Sequence, residues 1–379
     1  MNFDEIILRR NTNCSKWDKV PEDCLPLSLA DMDFKSAPQI IEQLHQRVEQ
    51  GVFGYPLPDQ DLPAIVVKHF LEKYNCEIEP TWIEWLPSVV PALNLACLMV
   101  DGTVMLNIPV YQHIIGAPIN MRRDYIHSRL KIVNGQYTFD FESMEKELAP
   151  QTKLFILCNP HNPVGRSYTR TELLKLAEFC EKHDLTVCSD EIHCDLILAG
   201  GKQHIPFIAV SEYAKMHTLI LMSGAKTYNL PGVSCAFAVI PNQELRDRFM
   251  DAGKGVLAHP GILEYTALKA ALGDSGLWYQ EMLTYLSGNR DYLEERMSNI
   301  PRLSMLHQEA TYLAWIDATQ LKVDDPFEYL LKEARVNLSD GAIFRAPGFI
   351  RLNFATSRTN LKVALDRIET AINKLDRRY

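Results

Sequence analysis

The chain is 379 residues long, with 47% hydrophobic and 23% charged content, which fits an ordinary soluble protein with one large and one smaller domain. A net charge of −9 argues against a general nucleic-acid or anionic-membrane binder, though not against a local basic pocket for a phosphate or carboxylate. No apolar run approaches the ~20 residues of a membrane span, and Met1–Glu5 has neither a basic nor an apolar leader region, so the expected location is the cytoplasm.

Along the chain, Leu95–Met99 reads as core and includes Cys97, one of nine scattered cysteines. Their odd number and the absence of C-x-x-C spacing predict buried free thiols in a reducing compartment. Lys153–Cys158 is an apolar run stopped by Asn159-Pro160, which predicts a buried strand. Thr169-Arg170-Thr171-Glu172 then predicts a capped helix, with Leu173, Leu174, Leu176, Ala177 and Cys180 at helical spacing. Leu185–Cys188 predicts the next strand, ending in polar Ser189-Asp190-Glu191. His217–Met222 predicts a third, ending at Ser223-Gly224. Polar residues thus collect past the carboxyl ends of successive strands, where open α/β sheets place ligands. A long helix after about Ser275 joins the two domains. Tyr312–Ile316 and Phe349–Phe354 read as strands of a smaller α+β unit. Asn360–Leu375 reads as an amphipathic helix with Leu361, Val363, Ala364, Ile368, Ala371, Ile372 and Leu375 on its apolar face.

Four segments carry chemistry: Asn159-Pro160-His161-Asn162-Pro163-Val164-Gly165, Ser189-Asp190-Glu191-Ile192-His193, Ser223-Gly224-Ala225-Lys226, and Phe349–Phe354 around Arg351. Alone, each is ordinary: an Asn-Pro turn, a turn aspartate, a surface lysine, a strand arginine in an ion pair. In this order they resemble the fold-type I pyridoxal-phosphate (PLP) enzymes, the aminotransferase class I/II superfamily. Lys16-Trp17-Asp18, Ala30-Asp31-Met32-Asp33-Phe34, Gly54-Tyr55-Pro56 and Asp190-Glu191-Ile192-His193 extend the likeness over nearly the whole chain. They resemble the MalY/PatB branch of the cystathionine β-lyases.

The resemblance implies an α/β protein of PLP-transferase fold type I. A large PLP-binding domain (46–280) would have a mixed, mostly parallel sheet between helices. A smaller α+β domain (281–379) would follow, and residues 1–45 would contribute to the small domain and the active-site entrance. Lys226 would hold the cofactor as a Schiff base and, once displaced, act as general base at Cα. Asp190 would keep the pyridine nitrogen protonated, and its alternative is a turn or N-cap aspartate. Asn162 would donate to the ring phenolate oxygen while also capping its turn. His193 is either a cofactor contact or a satisfied structural histidine. Tyr111 would stack on the ring, or else pack in the core. Arg351 would grip the substrate α-carboxylate through two parallel hydrogen bonds.

The phosphate would rest on the Val89 and Val90 N–H groups before a helix at Pro91, on the Ser223 hydroxyl, and on Tyr55 of a neighbouring subunit, so the active unit would be a homodimer. Here the chain departs from the family pattern. Ser234 stands where an arginine or lysine is usual, and Ala225 where a second hydroxyl is frequent. Either a basic residue from elsewhere, Lys254 being a candidate, supplies the charge, or the cofactor is held less tightly. The implied reaction is carbon–sulfur β-elimination from cystathionine or another S-substituted L-cysteine. The alternatives are an aminotransferase of an α-amino acid and, in another class, a non-catalytic PLP-binding regulatory protein. No metal, nucleic acid or membrane is expected.

Overall fold

Segments that are aliphatic on both faces suit strands covered by helices on both sides, and they build the main sheet. In the computed structural model, which describes residues 1–376, seven strands carry it. They are β1 (Ile83–Leu86), β2 (Thr103–Ile108), β3 (Tyr125–Arg129), β4 (Thr152–Cys158), β5 (Thr186–Asp190), β6 (Thr218–Ser223) and β7 (Ala236–Val239). The order across the sheet is β1-β7-β6-β5-β4-β2-β3. The five strands from β6 to β3 are parallel, and β7 runs antiparallel to β1 and β6. Every residue of β2 and β6 is buried.

The predicted strands are present, with ends displaced by one or two residues. The largest shift is in β5, which continues through Ser189 and Asp190, opposite Leu157 and Cys158 of β4. The polar pair tolerates a central strand because its needs are met locally: Ser189 Oγ donates to Glu191 Oε1 at 2.7 Å. Among the helices that matter below, α1 spans Pro38–Glu49, α2 Val89–Leu98, α3 Gln112–Asn120, α4 Arg170–Lys182, α5 Ile262–Asp274, α6 Gly276–Asn299 and α7 Arg358–Asp376. The capping box of α4 is formed. Glu172 N–H donates to Thr169 Oγ1 at 3.3 Å, and Thr169 N–H donates to Glu172 Oε2 at 2.8 Å.

A second, antiparallel sheet contains Ser304–Met305 (β8), Leu313–Asp317 (β9), Ser339–Asp340 (β10) and Phe349–Asn353 (β11), ordered β8-β9-β11-β10. Leu25–Pro26 pairs in parallel with Val336–Asn337, so the amino-terminal segment is stitched to this unit. Helix α7 buries Leu361, Ala364, Leu365, Ile368, Ala371, Ile372 and Leu375. Val363, expected on that face, is exposed, because it lies two residues from Leu361 and so about 200° around the helix.

All nine cysteines are free thiols, and all but Cys14 are buried. Burial pushes the Cys97 thiol up to about 12. Among the described residues no helix is long and apolar enough to cross a membrane, and no cluster of ligating side chains suits a metal ion.

Candidate active site

Parallel strands deliver their carboxyl ends to one rim of the sheet, so residues distant in sequence meet there. Tyr111 follows β2, Asn162 follows β4, Asp190 ends β5 with His193 just beyond, and Lys226 follows β6. Arg351 arrives from β11 of the second sheet, in register with Trp315 and Ser339.

The loop after β4 is rigid. The neutral His161 ring links two elements: its Nε2–H donates to Pro109 O at 2.8 Å, and its Nδ1 accepts from Tyr168 Oη at 3.0 Å. Burial drives this imidazole down to about 4, which keeps it neutral, and the Pro109 carbonyl, which can only accept, places the proton on Nε2. Tyr111 N–H donates to Asn162 O at 3.0 Å, so the aromatic and the amide move as one piece. Gly165 closes the loop at φ +68°, where an added Cβ would sit 1.9 Å from Gln308 Nε2.

Arg351 is 5% exposed. Its Nη1 donates to Asn162 Oδ1 at 2.9 Å, and its Nη2 to Ser28 O at 3.0 Å and Ser339 Oγ at 3.2 Å. Its carbon centre lies 4.7 Å over the Phe344 ring, and its Nε has no partner. All these acceptors are neutral, and among the described residues no carboxylate pairs with it. Burial pulls the guanidinium down to about 10, still protonated at neutral pH. A buried cation without a counter-ion is a site prepared for an anion.

Lys226 Nζ donates to Ala30 O at 2.8 Å. Burial, then the charge of Arg351, lowers its amine to about 8, against the pull of Asp31 and Asp190. Asp190 is 3% exposed and accepts from Ile192 N–H at 3.2 Å. Burial lifts its carboxyl to about 7, although the Ile192 bond and Lys226 pull it down. His193 is buried, edge-on to Tyr312, with Nδ1 unpartnered. Burial, with the charges of Lys226 and Arg351, holds it well below the usual histidine range, as a neutral ring with a nitrogen to spare. Tyr111 is half-buried at the start of α3, and burial, then the charge of Asp190, raises its phenol to about 12.

A model of the family described as "Aminotransferase class I and II" matches residues 89–368. The chain belongs to that family. It is 35% identical to cystathionine beta-lyase PatB of Bacillus subtilis, over 98% of this chain and 100% of that one. Among solved structures, OvoB superposes with a TM-score of 0.96 at 39% identity, covering 98% of this chain and 99% of that one. Cystalysin of Treponema denticola, whose structure contains a pyridoxal 5'-phosphate cofactor, superposes at 0.94 with 31% identity, covering 99% of each chain. The fold of this aminotransferase-family chain is therefore that of the fold-type I PLP enzymes.

The donor set of this family member fits PLP at several points. An amine, a buried carboxylate, an aromatic ring and an unpartnered imidazole nitrogen gather at one rim, and a helix amino terminus offers an anion cradle. That cradle is open: Val89 and Val90 begin α2, Ser88 makes no side-chain cap, and Pro91 has no N–H. Ser223 also has a local role. Its Oγ donates to Cys235 O at 2.7 Å and accepts from Ala225 N–H at 3.1 Å, so it fastens the turn that aims Lys226. Ser234 is neutral and half-buried, and Lys254 is exposed. Tyr55 is fully exposed and lies in an extended segment with exposed Val52, Phe53 and Leu57.

Several functional contacts were not found from sequence. Ala30 supplies the carbonyl that receives Lys226, and Tyr312 Oη donates to the same oxygen at 3.0 Å. Ser28 and Ser339 hold Arg351. Buried Glu191 anchors the turn after Asp190, accepting from Phe207 N–H at 2.9 Å and pairing with His204 at 2.5 Å. Only Ala30, in the Ala30–Phe34 run, and Glu191, in the Asp190–His193 run, carried a sequence signal, through the resemblance of those runs.

Proposed function

We propose that the chain is a PLP-dependent carbon–sulfur β-lyase. It cleaves cystathionine or another S-substituted L-cysteine, with one water, to a thiol, pyruvate and ammonium. The observation that carries the reading is the buried Arg351 guanidinium, held by neutral oxygens only, in one pocket with Lys226 and Asp190. That pocket accepts a carboxylate and an amine on the same carbon. PLP, when bound, supplies an aldehyde that captures amines and a protonated ring that takes up the electron pair left at Cα.

The chain's own residues do the rest. Lys226 Nζ would be the amine that holds the cofactor until the substrate amine replaces it. Once displaced it would be the base at Cα, and burial already lowers its proton affinity to about 8 in the cofactor-free chain. Asp190 would hold the ring nitrogen protonated, and Asn162, whose Oδ1 is occupied by Arg351, would have its amide N–H left to donate to the ring oxygen. His193 adds its unused nitrogen nearby. Arg351 fixes the carboxylate, and Tyr111 limits the ring's movement. Loss of the thiolate from Cβ, rather than return of a proton to the cofactor, makes the reaction a lyase. The name of PatB supports that choice.

The site is completed by a second copy of the chain. The exposed apolar segment around Tyr55 supports a homodimer in which Tyr55 reaches the neighbour's phosphate. Nine free thiols support a reducing, cytoplasmic location. The test is incubation of the PLP-loaded protein with L-cystathionine, and separately with an amino acid plus 2-oxoglutarate. Pyruvate with free thiol is expected. Product that depends on the oxo acid would make the protein an aminotransferase, and no turnover of either would leave a PLP-binding regulatory protein.

A further inference from the structure

Four consecutive backbone carbonyls, Ser28 to Asp31, are each bound by a side chain. Ser28 O accepts from Arg351 Nη2 at 3.0 Å and Leu29 O from Asn353 Nδ2 at 2.6 Å. Ala30 O accepts from Lys226 Nζ at 2.8 Å and Tyr312 Oη at 3.0 Å. Asp31 O accepts from Asn353 Nδ2 at 2.7 Å and Lys16 Nζ at 3.1 Å. The segment thus bridges the two chemical groups of the pocket, the amine and the guanidinium.

Its anchor is a network of two cations and two anions. Arg9 pairs with Asp31 at 3.0 Å and with Asp33 at 2.6 Å. Lys16, whose side chain is entirely buried, pairs with Asp31 at 3.3 Å and Asp33 at 3.1 Å. Trp17 Nε1 donates to Asp33 Oδ1 at 2.9 Å. On the opposite side Asn229, three residues beyond Lys226, accepts from Met32 N–H at 2.9 Å and donates to Met32 O and Phe34 O. The charges balance, so each ion is held by two of the others and removal of one leaves a largely buried net charge. That makes the network a stiff support.

We propose that the Ser28–Asp31 segment, fixed by Arg9, Lys16 and Asp33, is a positioning element: it holds the Ala30 carbonyl as the hydrogen-bond acceptor of Lys226 and the Ser28 carbonyl on Arg351. Arg9 and Lys16 thereby tune two groups that they do not touch. The inference rests on the reading of Lys226 and Arg351 given above. The groups that face the amine are the Ala30 carbonyl and Asp31 from this segment, Asp190 from β5, His193, Tyr312, and Arg351 from β11. An acceptor fixed against the amine favours its protonated form, and a loosened one favours it less.

The test is the double variant Lys16→Met/Asp33→Asn, which removes one cation and one anion and so keeps the balance. In the cofactor-free chain, the amides of Met32 and Asp33 are expected to exchange about tenfold faster or more, with β4 and β5 unchanged. In the PLP-loaded chain borohydride still labels Lys226, and in the cofactor-free chain the pH midpoint for acylation of the Lys226 amine falls by roughly half a unit or more. KM for the amino acid rises through Arg351. Faster exchange with an unmoved midpoint and unmoved KM would reduce the network to a merely structural role and overturn the inference. Absence of label on Lys226 in the wild type would instead remove the reading beneath it. Should the double variant not fold, Arg9→Lys, which keeps the charge and loses the paired grip, decides by the same midpoint.

Discussion

Replacing Asp190 by asparagine makes the cofactor-free protein more stable and the enzyme worse. The carboxyl of Asp190 is lifted from an ordinary 3.8 to about 7 by burial. A group whose folded pKa is raised in this way, when it is an acid, costs stability wherever it is ionised. The cost is small near pH 4, grows as pH climbs towards 7, and is complete above that. A shift of about three units corresponds to a ceiling of about 4 kcal/mol. The attraction that ionised Asp190 exerts on Lys226 is lost in the variant, so we expect a gain of about 2–4 kcal/mol at pH 8. The asparagine oxygen still accepts from Ile192 N–H, so no bond is forfeited. Urea unfolding of the stripped wild type and Asp190→Asn at pH 4 and pH 8 measures this. The midpoint is expected to rise at pH 8 and to stay within error at pH 4. In the PLP-loaded form, kcat falls by about 10²-fold or more, since the ring nitrogen loses its anion. Equal midpoints at pH 8, or a gain independent of pH, would refute the argument that this carboxylate is held ionised against its burial.

Arg351→Lys keeps a charge but cannot make two parallel bonds to a carboxylate. We expect kcat/KM to drop by about 30–150-fold, with most of the change in KM, from steady-state kinetics. A shared site predicts complementation: Tyr55→Ala and Lys226→Ala homodimers are both impaired, and an equal mixture, after subunit exchange, recovers up to about a quarter of the wild-type sites. A mixture no more active than its parts would place Tyr55 outside the neighbour's pocket. Gly165→Ala forces a side chain into φ +68° and against Gln308, which donates to Ala310 O, Thr311 Oγ1 and Leu313 O. A loss of roughly 3 kcal/mol or more is expected, read as a lower melting temperature.

What was legible in the sequence is what is local. Strands β4, β5 and β6 were readable because each is a short apolar run ended by polar or turn residues. The four chemical segments were readable because parallel strands leave their functional residues just past those ends, in chain order. The contacts that position them were not legible. Nothing near Ser28 or Ala30 says that their carbonyls face Arg351 and Lys226, because those bonds span 323 and 196 residues and use backbone atoms that every residue has. Ser223 adds a contact that position did not reveal: without an anion its hydroxyl donates to the carbonyl of Cys235 at 2.7 Å. Val363 misled because apolar character was counted without its angle around the helix.

The ionisable groups of the pocket share one physical logic. Burial works against the charged form of each: Asp190 is pushed up, and Lys226 and Arg351 are pulled down. Packed differently, apolar residues would be more stable there. A carboxylate, two cations and a neutral imidazole are instead kept in place by rigid neighbours: the His161 clamp, the Ser223 turn and the Arg9–Lys16 network. The charges they lack are those that an α-amino acid and a protonated pyridine ring bring. In the proposed reaction the Arg351 grip would act on the substrate, the Asp190 pairing on the electron sink, and the lowered Lys226 amine on the proton between them. With Ser234 neutral, the proposed phosphate site would depend on uncharged donors and on the second subunit proposed above. Cofactor affinity should therefore weaken in parallel with dimer dissociation, which dilution of the loaded protein followed by absorbance and sedimentation tests directly; cofactor retained by the isolated monomer would contradict it.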